Sequence, residues 1–168
     1  ELPSVRLISD YHADAGYIVA LANSVREHWQ RQGRRSHLLM SFHGIPERCV
    51  QRGDPYQCHC LTTAQLLAQE LGLDGQAWTL SFQSRFGKAR WLLPATDCTL
   101  AELPARGIRD LTLVCPGFAV DCLETLEEIA IGGQEIFRRA GGENFAYVPA
   151  LNARADHAQA LARICLRG

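Results

Sequence analysis

The sequence predicts an α/β fold, a parallel sheet covered by helices, and three observations carry that expectation. Four short apolar runs recur along the chain: HLLMSF (37–42), AWTLSF (77–82), DLTLVC (110–115) and FAYV (145–148). Each is followed, after a loop, by a segment whose apolar residues recur at helical spacing. No internal repeat, low-complexity tract or Pro/Gly/Ser linker interrupts the alternation. Strands alternating with helices in this way favour a parallel sheet.

The elements follow in order. Before the first run, GYIVALANSVREHWQRQG reads as an amphipathic helix from about Tyr17 to Gln32, stopped by Gly33. After HLLMSF comes a long irregular stretch, GIPERCVQRGDPYQC, and then a helix marked by Ala64, Leu67, Ala68 and Leu71 that ends at Gly72. After AWTLSF a second irregular stretch, QSRFGKARWLLPATD, leads to a helix carrying Leu100 and Leu103 and ending near Gly107. Behind DLTLVC, the residues Leu123, Leu126, Ile129 and Ala130 continue a helical stripe towards Phe137. Leu161 to Ile164 mark the last helix. Each stripe would dock on the sheet, and long loops inside a compact domain are usually functional.

A chain of 168 residues fits one domain large enough to bury a core. The formal net charge of -1, with 21% charged residues, gives no global signal for nucleic acid or an anionic membrane surface. No run of about 18 uninterrupted apolar residues occurs, and ELPSVRLISDYHADAG lacks the basic-then-apolar plan of a signal peptide. The expectation is therefore a soluble, cytoplasmic protein. Seven scattered cysteines do not form the framework of a disulfide-stapled secreted domain.

Ligands of open α/β sheets bind beyond the C-terminal ends of the strands, and the unusual residues of this chain fall there. His43, in SFHGIP, follows the first strand beside Gly44, whose missing side chain would let another group approach the imidazole. GFAVDCLETLEEI, after the third strand, crowds Asp121, Glu124, Glu127 and Glu128 into eight residues. Asp121 as a helix cap and Glu124 on the helix dipole would explain two of them. Glu124 and Glu128 at i,i+4, with Glu135 on the same side, repel by about 0.2–0.5 kcal/mol per pair when exposed, so the row makes sense if it faces cations or protons. An imidazole and a carboxylate facing across a crevice can bind a divalent metal or take up protons. Trp91, with Phe82, Phe86 and Phe118, is either core or the wall of a site for a flat aromatic ligand.

These residues, LLMSFHGIPERCVQRGDPY, LSFQSRFGKARWLLPATD, CPGFAVDCLETLEEI and YVPALN, together resemble the C-terminal half of the bacterial ferrochelatases, in order and over nearly the whole chain. The resemblance implies a Rossmann-like chelatase domain, here a four-stranded parallel sheet with helices on both faces, one of two similar domains that hold protoporphyrin IX between them. It implies insertion of Fe(II) into that porphyrin to form protohaem, the last step of haem biosynthesis. His43 and Glu124 match the catalytic pair assigned to metal binding and to abstraction of the pyrrole protons. Asp121 and Glu128 match the acidic path for metal or protons, and Trp91, Phe118 and Ser84 match the porphyrin pocket. Residues 1–34 then form a leading helix and linker from an N-terminal half, and residues 35–168 the chelatase-like domain. The family's greasy substrate adds the expectation of a peripheral membrane contact, although no basic amphipathic helix is evident. Where some relatives carry histidine this chain has Cys122, and Gly132 and Gly133 stand where the acidic row often continues.

RCVQRGDPYQCHC packs Cys49, Cys58 and Cys60 with His59 into twelve residues, a density that suits a [2Fe–2S] cluster or zinc. Reduced free thiols are the alternative. Two other functional readings compete with the first. One is a small homodimeric chelatase for another tetrapyrrole, in which a second copy supplies the opposite wall. The other is a non-catalytic metal- or haem-binding module.

Overall fold

The computed structural model describes residues 5–167; residues 1–4 and 168, at the outer ends of the two expected segments, lie outside the described residues. Strands β1 (His37–His43), β2 (Trp78–Gln83), β3 (Asp110–Val114) and β4 (Asn144–Val148) form one parallel sheet in the order β2-β1-β3-β4. All four apolar runs are strands, and the α/β expectation holds. The central strand β1 is a nearly continuous apolar run because both of its faces are covered. Leu38, Met40 and Phe42 point to one side, while Leu39 and Ser41 point to the other, and all five are at most 2% exposed.

The first face is covered by α1 (Ala15–Gln32) and α3 (Tyr56–Glu70), with α7 (Ala155–Leu166) packed on α1. The opposite face buries Leu39, Leu111 and Leu113 against Leu100, Ile129 and Phe137. Those last three come from α4 (Thr96–Glu102) and from a continuous helical segment made of α5 (Leu123–Thr125), a π-helical stretch (Leu126–Gly133) and α6 (Gln134–Arg139). Burying one leucine side chain of this kind stabilises by about 1.5–3 kcal/mol. Helix α1 starts where the Asp14 carboxylate accepts from the Tyr17 amide at 3.1 Å, and it stops at Gly33, whose φ of 81° suits glycine. Its inner face, Tyr17, Ile18, Leu21 and Val25, is buried, and the Tyr17 hydroxyl donates to the Pro116 carbonyl in the turn after β3. Among the described residues no helix is long and apolar enough to cross a membrane.

Two stretches differ from the expectation. GIPERCVQRGDPYQC is largely helical: α2 spans Glu47–Gln51, and α3 already begins at Tyr56. The signal lay in the prolines, since Pro46 and Pro55 occupy the N-cap positions of the two helices and the Asp54 carboxylate accepts from the Tyr56 amide at 2.9 Å. The helix after β3 is also not uniformly α. Its π-helical stretch ends in Gly132 and Gly133, where a Cβ would come within 3.3 Å of the Glu127 carbonyl and 3.2 Å of Leu100. Two residues without side chains let the widened turn close on its own backbone and settle on α4.

Candidate active site

His43 is the last residue of β1, in register with Gln83 at the end of β2. Its Nδ1 lies 2.7 Å from the Gly44 carbonyl, which can only accept, so Nδ1 carries the proton and the neutral ring keeps its lone pair on Nε2. The strand end is held from behind by the Tyr56 hydroxyl, which donates to the His43 carbonyl at 2.8 Å. In the turn after β3, the Phe118 ring sits 6.2 Å from the imidazole, tilted by 48°. The free space beside Gly44 serves packing: a Cβ there would lie 2.9 Å from the Gln83 carbonyl and 3.2 Å from Trp91. Gly44→Ala is therefore expected to cost about 1–3 kcal/mol and to shift the tryptophan emission. Urea unfolding checks it, and an unchanged midpoint with unchanged emission would contradict this packing.

Glu124 opens α5 beside His43. Hydrogen bonds from the Cys122 thiol and its own backbone amide, helped by the nearby His43, hold its carboxyl below the ordinary range. It is thus an anion at neutral pH, with its backbone tied to the sheet. Gln83, only 2% exposed, donates from Nε2 to the Glu124 carbonyl at 2.6 Å and accepts on Oε1 from the Ser41 hydroxyl at 2.8 Å. The Cys115 thiol donates to the same Oε1 at 3.4 Å. Gln83 joins β1, β2 and the turn after β3 to the acidic helix, a role that its place in SFQS did not reveal.

The carboxylates do not form one row. Both oxygens of Glu128 are engaged by Ser84, whose amide and hydroxyl each donate at 2.7 Å. Ser84 aims both groups the same way because its backbone is left-handed, with φ of 64°. Its expected porphyrin contact must compete with that clamp. Glu127 is exposed, and Glu135 pairs with Arg139 on the exposed side of α6 at 2.8 Å. The expectation that Glu135 extends the row is corrected, because the π-helical stretch between them breaks the α-helical register.

Asp121 is turned the other way. Its Oδ1 accepts from the Tyr147 hydroxyl at 2.7 Å, the Thr125 hydroxyl at 3.0 Å and the Ala150 amide at 3.2 Å, while Oδ2 accepts from Asn152 at 2.8 Å. Burial pushes its pKa up, but these donors outweigh burial and leave it lowered. Asp121 does not cap the helix, since Cys122 occupies that position. Both of its oxygens are engaged in bracing the loop after β3 against β4 and the loop that follows it. Thr125, Tyr147 and Asn152 are site-shaping residues that the sequence showed only as parts of longer motifs.

Trp91, Ser84 and Glu128 line a cavity of about 690 Å³ beyond the end of β2. The Trp91 indole N–H donates to the Phe86 carbonyl at 3.0 Å, and the two rings lie 5.8 Å apart. The arginines at its rim, Arg85 and Arg90, pair with Asp97 and Glu47. Phe86 and Leu93 after β2, and Val120, Leu123 and Leu126 after β3, leave large apolar side chains exposed above the strand ends. Phe82 belongs to the core, whereas Phe118 is half-buried and Trp91 partly so.

The cysteines expected to hold a cluster do not converge. Cys49 lies on α2, while Cys58 and Cys60, two apart on helix α3, point to different sides, one exposed and the other buried. Burial pushes the Cys60 thiol up to about 12. Among the described residues no group of three ligand atoms that includes a cysteine comes together. The thiolate reading is corrected on that ground: density along a helix is not proximity in space.

The family model described as Ferrochelatase matches residues 1–168. The chain is 58% identical to the protein named Ferrochelatase of Aeromonas hydrophila over 166 residues, 99% of this chain and 51% of that one. It is 55% identical to the Ferrochelatase of Thioalkalivibrio sulfidiphilus, covering 99% of this chain and 45% of that one. With the Ferrochelatase 2 of Shewanella oneidensis it shares 49% identity, over 97% and 50% of the two chains. The chain spans about half the length of the curated relatives it matches.

Proposed function

The chain belongs to the ferrochelatase family, and on that premise we propose that it is the C-terminal half of an enzyme that inserts Fe(II) into protoporphyrin IX. The observation that carries the reading is the meeting of His43, with its Nδ1 held by the Gly44 carbonyl, and the anionic Glu124 at the ends of adjoining strands. In the reaction two pyrrole N–H bonds break, two protons leave, and four iron–nitrogen bonds form with no change of iron oxidation state. His43 Nε2 is the proton acceptor, since imidazole is the side chain whose charge changes nearest neutrality. Glu124, whose carboxyl stays ionised, draws the divalent ion towards the ring. Trp91, Phe118 and Ser84 border the porphyrin, and Glu128 supplies negative charge behind it.

The exposed apolar side chains above the strand ends call for a cover, and the greater length of the relatives favours a second half of the same protein over a second copy. Residues 1–34 lead in from that half, with α1 also serving the core of this domain, and residues 35–168 complete the wall. Peripheral membrane contact and a cytoplasmic location are part of the same proposal. A [2Fe–2S] cluster is not, because Cys49, Cys58 and Cys60 stand apart. The test is iron or zinc insertion into protoporphyrin, followed by porphyrin absorption and fluorescence, for the whole protein and for this chain alone. Turnover by the whole protein and little by the half supports the reading; a folded whole protein that binds porphyrin without product overturns it in favour of a binding module.

A further inference from the structure

Gln83 stands between the two residues of the candidate centre and meets the backbone beside each. On β2 it is in register with His43, and its own carbonyl accepts from the Gly44 amide at 2.8 Å. Gly44 is also the residue whose carbonyl holds the imidazole Nδ1. On the other side, the Gln83 Nε2 donates to the Glu124 carbonyl at 2.6 Å. We propose that Gln83 is a positioning residue that fixes the distance and direction of Glu124 from His43. Given the roles proposed above for that pair, on which this assignment rests, Gln83 acts through Glu124. It borders the cavity lined by Trp91 but is only 2% exposed, with its amide engaged on protein partners.

A buried polar chain sets the orientation of the amide. Oε1 accepts from the Ser41 hydroxyl at 2.8 Å and from the Cys115 thiol at 3.4 Å. Turned over, the amide would set its oxygen against the Glu124 carbonyl, acceptor against acceptor. Ser41 has one hydroxyl proton and gives it to Gln83, so in the 2.8 Å contact between Ser41 and Thr96 the donor is Thr96. Thr96 in turn accepts from the Ser81 hydroxyl at 2.8 Å. The chain therefore runs one way, from Ser81 through Thr96, Ser41 and Gln83 to Glu124, and its first four members are at most 2% exposed. With water shut out, loss of one member leaves its neighbours unpaired, and a fully satisfied chain of this kind holds a single geometry. Thr96 opens α4 at the end of the loop that carries Trp91, so the chain also ties the wall of the cavity to the acidic helix.

The test is a double-mutant cycle in the whole protein. Gln83→Met keeps the length of the side chain and removes both of its hydrogen-bonding ends. It is expected to lower kcat/KM for iron by about 10- to 100-fold, as loss of a group that orients a metal-binding side chain does, with KM for porphyrin unchanged. Ser41→Ala frees the amide to turn and should give a smaller loss of the same kind, which keeps the test open if Gln83→Met folds poorly. Both losses should vanish in a Glu124→Gln background, because Gln83 acts through that carboxylate. A merely structural role would add its loss to that of Glu124→Gln, and such additivity overturns the proposal. Amide hydrogen exchange over residues 122–128 needs no turnover, and it should quicken by about tenfold or more in Gln83→Met while the β3 amides keep their protection. Unchanged exchange there overturns the tie whether or not the protein inserts iron. Full activity of Glu124→Gln by itself would instead fail the proposed function and leave the exchange result to decide the place of Gln83.

Discussion

Glu124→Gln lowers kcat/KM for iron in the whole protein by about 10²- to 10³-fold, the loss typical of removing one preorganised electrostatic group, while Tm stays at the wild-type value. The two effects separate because the Glu124 side chain is half-exposed and its shape is kept, whereas its structural tie runs through the backbone carbonyl to Gln83. His43→Ala loses about 10²- to 10⁴-fold, in kcat, as removal of a proton acceptor does. On the proposed roles the two losses do not add when combined, because both residues would serve one step. Turnover near wild type in either variant would remove that residue from the centre. A fall in Tm with Glu124→Gln would mean that the carboxylate is structural.

Asp121→Ala has the largest expected effect on stability, about 2–4 kcal/mol in urea unfolding, because it strips four donors of their acceptor at once. Thr125 on α5, Tyr147 on β4, and Ala150 and Asn152 in the loop after β4 all meet on it, so the turn carrying Phe118 and the start of α5 loosen with them. A residue that only relayed metal would lose activity and keep its stability, and that outcome would refute the brace. The pH dependence gives a second reading. The folded carboxyl titrates below its unfolded value of about 3.9, so its stabilisation is complete above that pH and is lost as pH falls through the folded value. Asp121→Asn should flatten that part of the acid unfolding curve and leave the neutral range less stable than wild type.

How far the site was readable varies residue by residue. His43 and Glu124 were visible because they follow apolar runs, and in a parallel sheet the residues after such runs gather at one edge. Gln83 was not, since its value lies in remote partners, Ser41 at 42 residues on one side and Glu124 at 41 on the other. Asp121 was read as a helix cap or, by the resemblance, as part of an acidic path, because Tyr147 and Asn152, 26 and 31 residues further on, carry no mark of their pairing with it. The acidic row itself assumed an unbroken α-helix, and a π-helical stretch ending in two glycines changed which side each carboxylate faces.

From the chain alone, then, came the four strands, their parallel alternation with helices, and the pair of residues at the strand ends. Those follow from local periodicity, which burial on one or two faces imposes on neighbouring residues. Tertiary structure alone decided which polar groups meet. It separated Cys58 from Cys60 by their angle around α3, and it brought His59 onto His12, residues remote in sequence. A side chain's hydrogen-bond and ligand partners depend on the path of the whole backbone, and no local pattern encodes that path.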